Sequence, residues 1–170
     1  ETETFEPTFE AAEAVEVAAV AMPASTHEVT YVPVAEDVHP EGALDLSDLD
    51  EDLLEIFVQE GGDILDGADT LMARLREQPQ EREIVSGLQR ELHTLKGGAR
   101  MAGLAPIGDL SHAMEALLEQ VSEGHREMDR VSIESLERGF DRLHHMVQRV
   151  GKRQAIGMPV HAIERFEKLA

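Results

Sequence analysis

The sequence contains no cysteine and no tryptophan, one tyrosine and five phenylalanines, and only 15 Lys plus Arg against 35 Asp plus Glu in 170 residues. Each shortage removes a class of function. Without thiols the chain builds neither a disulfide framework nor a thiolate metal centre. A formal net charge of −20 repels phosphate backbones, and so few rings give no platform for stacking bases. Nucleic acid is excluded as a partner on both counts. Long apolar runs are also missing. The most apolar stretch, residues 11–22, still holds Glu13 and Glu16, has no basic flank and is too short to span a bilayer. It is neither signal peptide nor anchor, and a cytoplasmic protein without membrane insertion is expected.

The cations are unevenly placed. Residues 1–46 carry 11 acidic residues and no Lys or Arg, whereas residues 47–170 carry 24 acidic and 15 basic, leaving −9. The first block is interrupted by Pro7, Pro23, Pro33 and Pro40, and no apolar stripe persists through it. Such a segment buries too little apolar surface to offset the entropy of ordering it, so 1–46 is expected to be an acidic disordered linker. The chain begins at Glu1, and a long linker ahead of one compact domain points to a piece of a longer polypeptide. Residues 47–151 have the size of one domain.

From Ser47 onward the hydrophobic period is helical, and no alternating run is long enough for a strand. The pattern is that of an all-α fold. Ser47 is the expected N-cap, with Asp48, Asp50, Glu51 and Asp52 in the first turn, where the helix dipole favours negative charge. Leu49, Leu53, Ile56 and Phe57 give one apolar face, then Ile64, Ala68, Leu71 and Leu75. Gly61 and Gly62 between them either kink one long helix or separate two, and Pro79 ends the run. A second stripe reads Ile84, Leu88, Leu92, Leu95, Ala99 and Ala102 and stops at Gly103. A third, opened by Pro106, reads Ile107, Leu110, Met114, Leu117 and Val121 and stops at Gly124. A fourth, capped by Asp129, reads Ile133, Leu136, Phe140, Leu143, Val147 and Val150 and stops at Gly151. Four stripes with short connections specify an antiparallel up-down four-helix bundle. The tail, 152–170, contains Pro159 and an amphipathic segment that either packs on the bundle or begins another module of a longer chain.

One segment conflicts with its own helix. Gly97 and Gly98 lie in the middle of the second stripe, where each glycine costs roughly 1 kcal/mol relative to alanine. Lys96-Gly97 would serve as a helix stop, but Ala99 and Ala102 continue the stripe in register and Gly103-Leu104 before Pro106 is a better one. In a continuous helix Gln89, Lys96 and Gly97 share a face with His93, and Leu92 and Leu95, pointing inward, turn His93 to solvent. A neutral imidazole is a good nucleophile near pH 7. A phosphoryl group arriving on it would lie within reach of Lys96, and glycine at 97 clears a path for a second protein. No magnesium-binding carboxylate cluster or second general base accompanies it, which suits a group carrier whose partner brings the rest.

These residues, His93-Thr94-Leu95-Lys96-Gly97-Gly98-Ala99-Arg100-Met101-Ala102-Gly103-Leu104, resemble without a gap the H-x-L-K-G-x-A-x-x-x-G-L motif of histidine-containing phosphotransfer (HPt) domains. The resemblance is strongest to those of CheA-type chemotaxis kinases, particularly the long kinases with several such domains that control type IV pili and twitching motility. It implies a four-helix bundle over about 47–150. It also implies that His93 carries a phosphoryl group on Nε2 and passes it to an aspartate of a CheY-like receiver. By the same resemblance Lys96 is an electrostatic helper, Gly97 the clearance residue and Gln89 a polar residue one turn before. Lys96 and Arg100, with apolar neighbours of His93, are expected to support the phosphoryl site and its partner. No cofactor is expected in this domain; Mg2+ belongs to the receiver, and a kinase module is the expected donor. The piece itself, a monomer without a glycine-rich nucleotide-binding box, is not expected to be an enzyme.

Two alternatives stand beside this reading. The dimerising domain of a sensor kinase is also helical, but usually has an acidic residue directly after its histidine and a proline soon after; here Thr94 is next, and Pro106 lies beyond the helix. A purely structural or protein-binding bundle with a degenerate motif predicts the same fold. No two histidines are three or four apart, which argues against a metal site. His27, His39, His112, His125, His144, His145 and His161 are expected to be solvated surface residues.

Overall fold

Asp50, three residues beyond the expected cap, starts the first helix: its carboxylate accepts hydrogen bonds from the amides of Asp52 and Leu53 at 2.9 and 3.1 Å. The computed structural model that shows this describes residues 43–170, so all but the last four residues of the linker expected over 1–46 lie outside the described residues. Five helices are arranged in the order α1 (Glu51–Glu77), α2 (Arg82–Met101), α3 (Ala105–Ser122), α4 (Arg130–Gly151) and α5 (Val160–Leu169). Among the described residues the sole extended pairing is an isolated bridge between Leu44 and Ile156.

The apolar faces of α2, α3 and α4 are those expected, apart from their half-buried ends at Val121 and Ile133. That of α1 keeps the expected Phe57, Ala68 and Leu75 but is otherwise shifted by one position. Leu54, Phe57, Gly61, Leu65, Ala68, Met72 and Leu75 face inward, while Leu53 and Ile56 are exposed. The correction comes from Gly61, which holds the stripe in register without an apolar side chain to mark it. A Cβ there would lie 3.4 Å from Leu95 Cδ1, so this glycine brings α1 close to α2, and α1 is one continuous helix across Gly61-Gly62.

Glycine contacts and ion pairs also fix the directions of the helices. Gly61 faces Leu95 and Gly98 faces Phe57, numbers that rise in one helix as they fall in the other. The same antiparallel order holds between α1 and α4, where Val58 meets Gly151 and Arg76 pairs with Glu137. α1 packs on α2 and α4, and α3 packs on α2 and α4, with no α1–α3 or α2–α4 packing. The four helices therefore form a closed ring around one core. α5 lies outside it against α3 and α4, burying Phe166.

Three helix ends use the left-handed backbone, that of α3 through Gly124, φ +78, at the expected stop. After α2, Gly103 has φ +79, with Leu104 N bonded to Ala99 O at 2.8 Å, and Leu104 is fully buried. α4 ends at Gly151 as expected, beside Val58, and the left-handed residue that follows is Arg153, φ 55. The compact unit also extends past the expected limits of 47 and 151. Leu44 N bonds Ile156 O at 2.8 Å, and Leu46, Ile156 and Phe166 join the core; the tail packs on the bundle. No helix among the described residues is long and apolar enough to cross a membrane.

Gly139 and Gly62 make opposite predictions. A Cβ at 139 would stand 2.7 Å from Met114 Sδ and 2.9 Å from Phe166 Cζ, both buried, so Gly139→Ala should lower stability by about 1–3 kcal/mol. At 62 a Cβ meets nothing within 4 Å, and Gly62→Ala should raise it by about 0.5–1 kcal/mol. Urea denaturation of both variants checks the pair.

Candidate functional site

The spacing of α2 buries Leu92, Leu95 and Ala99 and leaves His93 on the surface, its side chain 71% exposed. Lys96, one turn later, is not free in the same way: its side chain is 14% exposed. The reason lies on α3. There Glu115 sits between the buried Met114 and Leu117 and the half-buried Ala116, its side chain only 15% exposed, facing α2.

The Glu115 carboxylate joins the two residues. Oε2 accepts a hydrogen bond from Lys96 Nζ at 2.5 Å, and Oε1 lies 2.8 Å from His93 Nδ1. Burial alone would push this carboxyl up. The hydrogen bonds from Lys96 and His93, together with their positive charge, outweigh burial and hold it below the usual carboxylate range. An ionised carboxylate only accepts, so the neutral imidazole carries its proton on Nδ1. The lone pair is then on Nε2, at the exposed end of the ring. A fixed tautomer of this kind is what a histidine nucleophile needs.

The remaining residues singled out in the sequence fall into place differently. Gly97 is exposed and a Cβ on it would meet nothing within 4 Å, so the surface beside the imidazole is open. Gly98 serves the packing instead, with its Cβ direction 3.4 Å from Phe57 Cδ2. Gln89 is half-buried one turn before His93 and does not bond to Glu115. Arg100 is exposed with its stem against Gly108 at the start of α3, Cγ being 3.3 Å from that glycine's Cβ direction. It does not join the carboxylate. Lys96 is turned onto Glu115 instead of projecting beside the ring.

Sequence spacing does not reveal Glu115, because a glutamate 22 residues from His93 has no local signature. Its one signal is position: it lies on the stripe side of α3, next to Met114, where a solvated glutamate has no reason to be. His112, one turn earlier, comes within 4.0 Å of the same carboxylate.

A family model described as Hpt domain matches residues 52–152. The chain belongs to the Hpt domain family. This Hpt domain is 31% identical over 91 residues to the chemotaxis protein CheA of Halobacterium salinarum, covering 54% of this chain and 14% of that protein. It is 63% identical over 35 residues to a gliding motility regulatory protein of Myxococcus xanthus, covering 21% of this chain and 4% of that one. It therefore spans a small part of these relatives. Among solved structures, it matches the phosphorylated P1 domain of CheA3 in complex with CheY6 from R. sphaeroides, with a TM-score of 0.63 and 22% identity. That match covers 69% of this chain and 94% of the other. The shared feature is the all-helical Hpt fold.

The low-lying Glu115 carboxyl sets a sign for acid stability. Its folded value lies below the unfolded one of about 4.3, so its contribution is complete above the unfolded value and is lost as pH falls through the folded value. The Hpt domain should lose stability in acid over that window, and Glu115→Gln should flatten that part of the profile. Urea midpoints measured from pH 7 down to pH 3 check this.

Proposed function

We propose that this Hpt domain is the phosphoryl carrier of a chemosensory phosphorelay, with His93 Nε2 as the phosphorylated atom and CheY-like receiver domains as partners. The observation that carries the reading is the hydrogen bond from Nδ1 to Glu115, which leaves the exposed nitrogen nucleophilic. In the transfer, the Nε2 lone pair forms the N–P bond as the P–O bond to the receiver aspartate breaks, and the reverse step returns the group. Glu115 keeps the Nδ1 proton and stabilises the positive charge that the ring gains. The receiver supplies the Mg2+ that the phosphoryl oxygens require; a kinase catalytic module elsewhere in the parent protein is the donor in the forward direction.

The surface beside His93 supports a protein partner. Gly97 and Met101 lie one and two turns further along the same face of α2, Met101 being 78% exposed. Leu53 and Ile56 are exposed on the part of α1 that packs beside this end of α2. Receivers are acidic around their acceptor aspartate, so an apolar contact avoids the repulsion that a chain of net charge −20 would otherwise impose. The similarity to CheA and to a gliding motility regulator favours a cytoplasmic motility pathway. The motif resemblance narrows this to type IV pili and twitching, with the domain acting as a monomeric module of a larger kinase.

The test mixes the protein with a phosphorylated receiver and Mg2+ and follows an acid-labile, base-stable phosphoryl group. Labelling that His93→Gln abolishes supports the reading; no labelling with several receivers, or equal labelling of the variant, refutes it in favour of a structural bundle. Glu115→Gln should slow transfer by roughly 10–100-fold, the worth of a hydrogen bond to a charged group. Gly97→Gln should leave helicity unchanged or higher by circular dichroism and slow transfer by blocking approach. Unchanged transfer would show that position 97 does not gate the partner.

A further inference from the structure

The seam between α1 and α4 lies on the opposite side of the ring from the α2–α3 seam that holds His93 and Glu115. Along most of its length it is closed by packing and by the ion pair of Arg76 with Glu137, and at its far end Arg153, just past α4, pairs with Glu51. Toward the middle the chemistry changes. Asp66 and Asp69, three apart on α1 and so on one face, meet His144 of α4. Donor atoms of the three side chains lie within 4.8 Å of one another, and His144 Nε2 is 2.9 Å from Asp69 Oδ2. Among the described residues neither aspartate is paired with a Lys or Arg. Two like charges one turn apart repel, and the imidazole of His144 faces them.

The imidazole separates this group from an acidic surface patch. Two carboxylate oxygens and one aromatic nitrogen, supplied by two helices, form the donor set of a borderline divalent metal, not of magnesium. Zinc bonds nitrogen at about 2.0–2.1 Å and carboxylate oxygen at about 2.0–2.2 Å, which draws three ligands to roughly 3.4 Å of each other. His144, held against the bundle, is the fixed ligand, and the two exposed aspartates close by side-chain rotation. Spacing between histidines alone does not reveal such a site, because the second and third ligands are aspartates on another helix.

We propose that Asp66, Asp69 and His144 bind a zinc-class divalent cation that ties α1 to α4. Water completes the coordination, since three protein ligands leave zinc a position open. The ion binds the folded bundle and not the unfolded chain, so it raises stability by mass action. It does so on the seam remote from His93, without entering phosphoryl transfer.

The test uses the full chain. Titration with zinc chloride, followed by calorimetry and thermal unfolding, should show a site that raises Tm by at least about 3 °C at saturation. Asp66→Asn and His144→Gln should each weaken that site at least tenfold and remove the Tm shift. Among the described residues Asp66 has no ion pair with a cation to lose, so its variant separates metal binding from folding. His112→Gln should retain both effects, and magnesium at the same concentration should give no shift. Zinc uptake and a Tm shift that persist in either cluster variant would overturn the assignment, as would an equal shift with magnesium or no uptake by the wild-type chain.

Discussion

Glu115 sits where α3 meets α2, mostly withdrawn from water, and its two oxygens are taken by Lys96 and His93. A carboxylate in that position would be costly to ionise on its own; it is stabilised because a lysine is buried with it. The pair sets the chemistry of the imidazole. With Glu115 ionised, the proton is held on Nδ1 and the nucleophilic nitrogen faces outward, so the reactivity of an exposed residue is controlled by a group that solvent hardly reaches. Lys96 acts first on the carboxylate and only through it on the ring.

The two glycines beside His93 look alike in sequence and have different causes. Gly98 faces Phe57 across the α1–α2 seam, and together with Gly61 opposite Leu95 it lets those helices approach. Gly97 faces open solvent, so packing gives no reason for its cost in helix stability. The proposed phosphoryl transfer accounts for it through access to the imidazole, whereas position 98 is a packing glycine.

Most of the bundle is legible in the sequence because its stripes are made of side chains. Ile84 to Ala102 on α2 and Leu136 to Val150 on α4 declare their faces through leucine, valine and phenylalanine. On α1, Phe57, Ala68 and Leu75 face inward as read, but Leu54, Leu65 and Met72 take the places of their neighbours Leu53, Ile64 and Leu71, because Gly61 carries the stripe with no side chain. Asp50 displaces Ser47 as the cap because both are good caps and only the tertiary path, with Leu46 buried, decides between them. At the candidate site, the exposed His93 and the open surface at Gly97 are readable from local spacing along one helix. Glu115 is not, since the distance from α2 to α3 is a property of the folded ring. The same holds for His144 and its two aspartates.

The tautomer of His93 decides whether the exposed nitrogen can act as a nucleophile, and it is directly observable. Nitrogen-15 NMR of the ring near pH 8, with His93 assigned by loss of its signals in His93→Gln, reports which nitrogen carries the proton. A protonated Nδ1 and a bare Nε2, reverting toward the Nε2-protonated form favoured by a free histidine side chain when Glu115→Gln is introduced, is the result this structure predicts. A wild-type ring protonated mainly on Nε2 would contradict it.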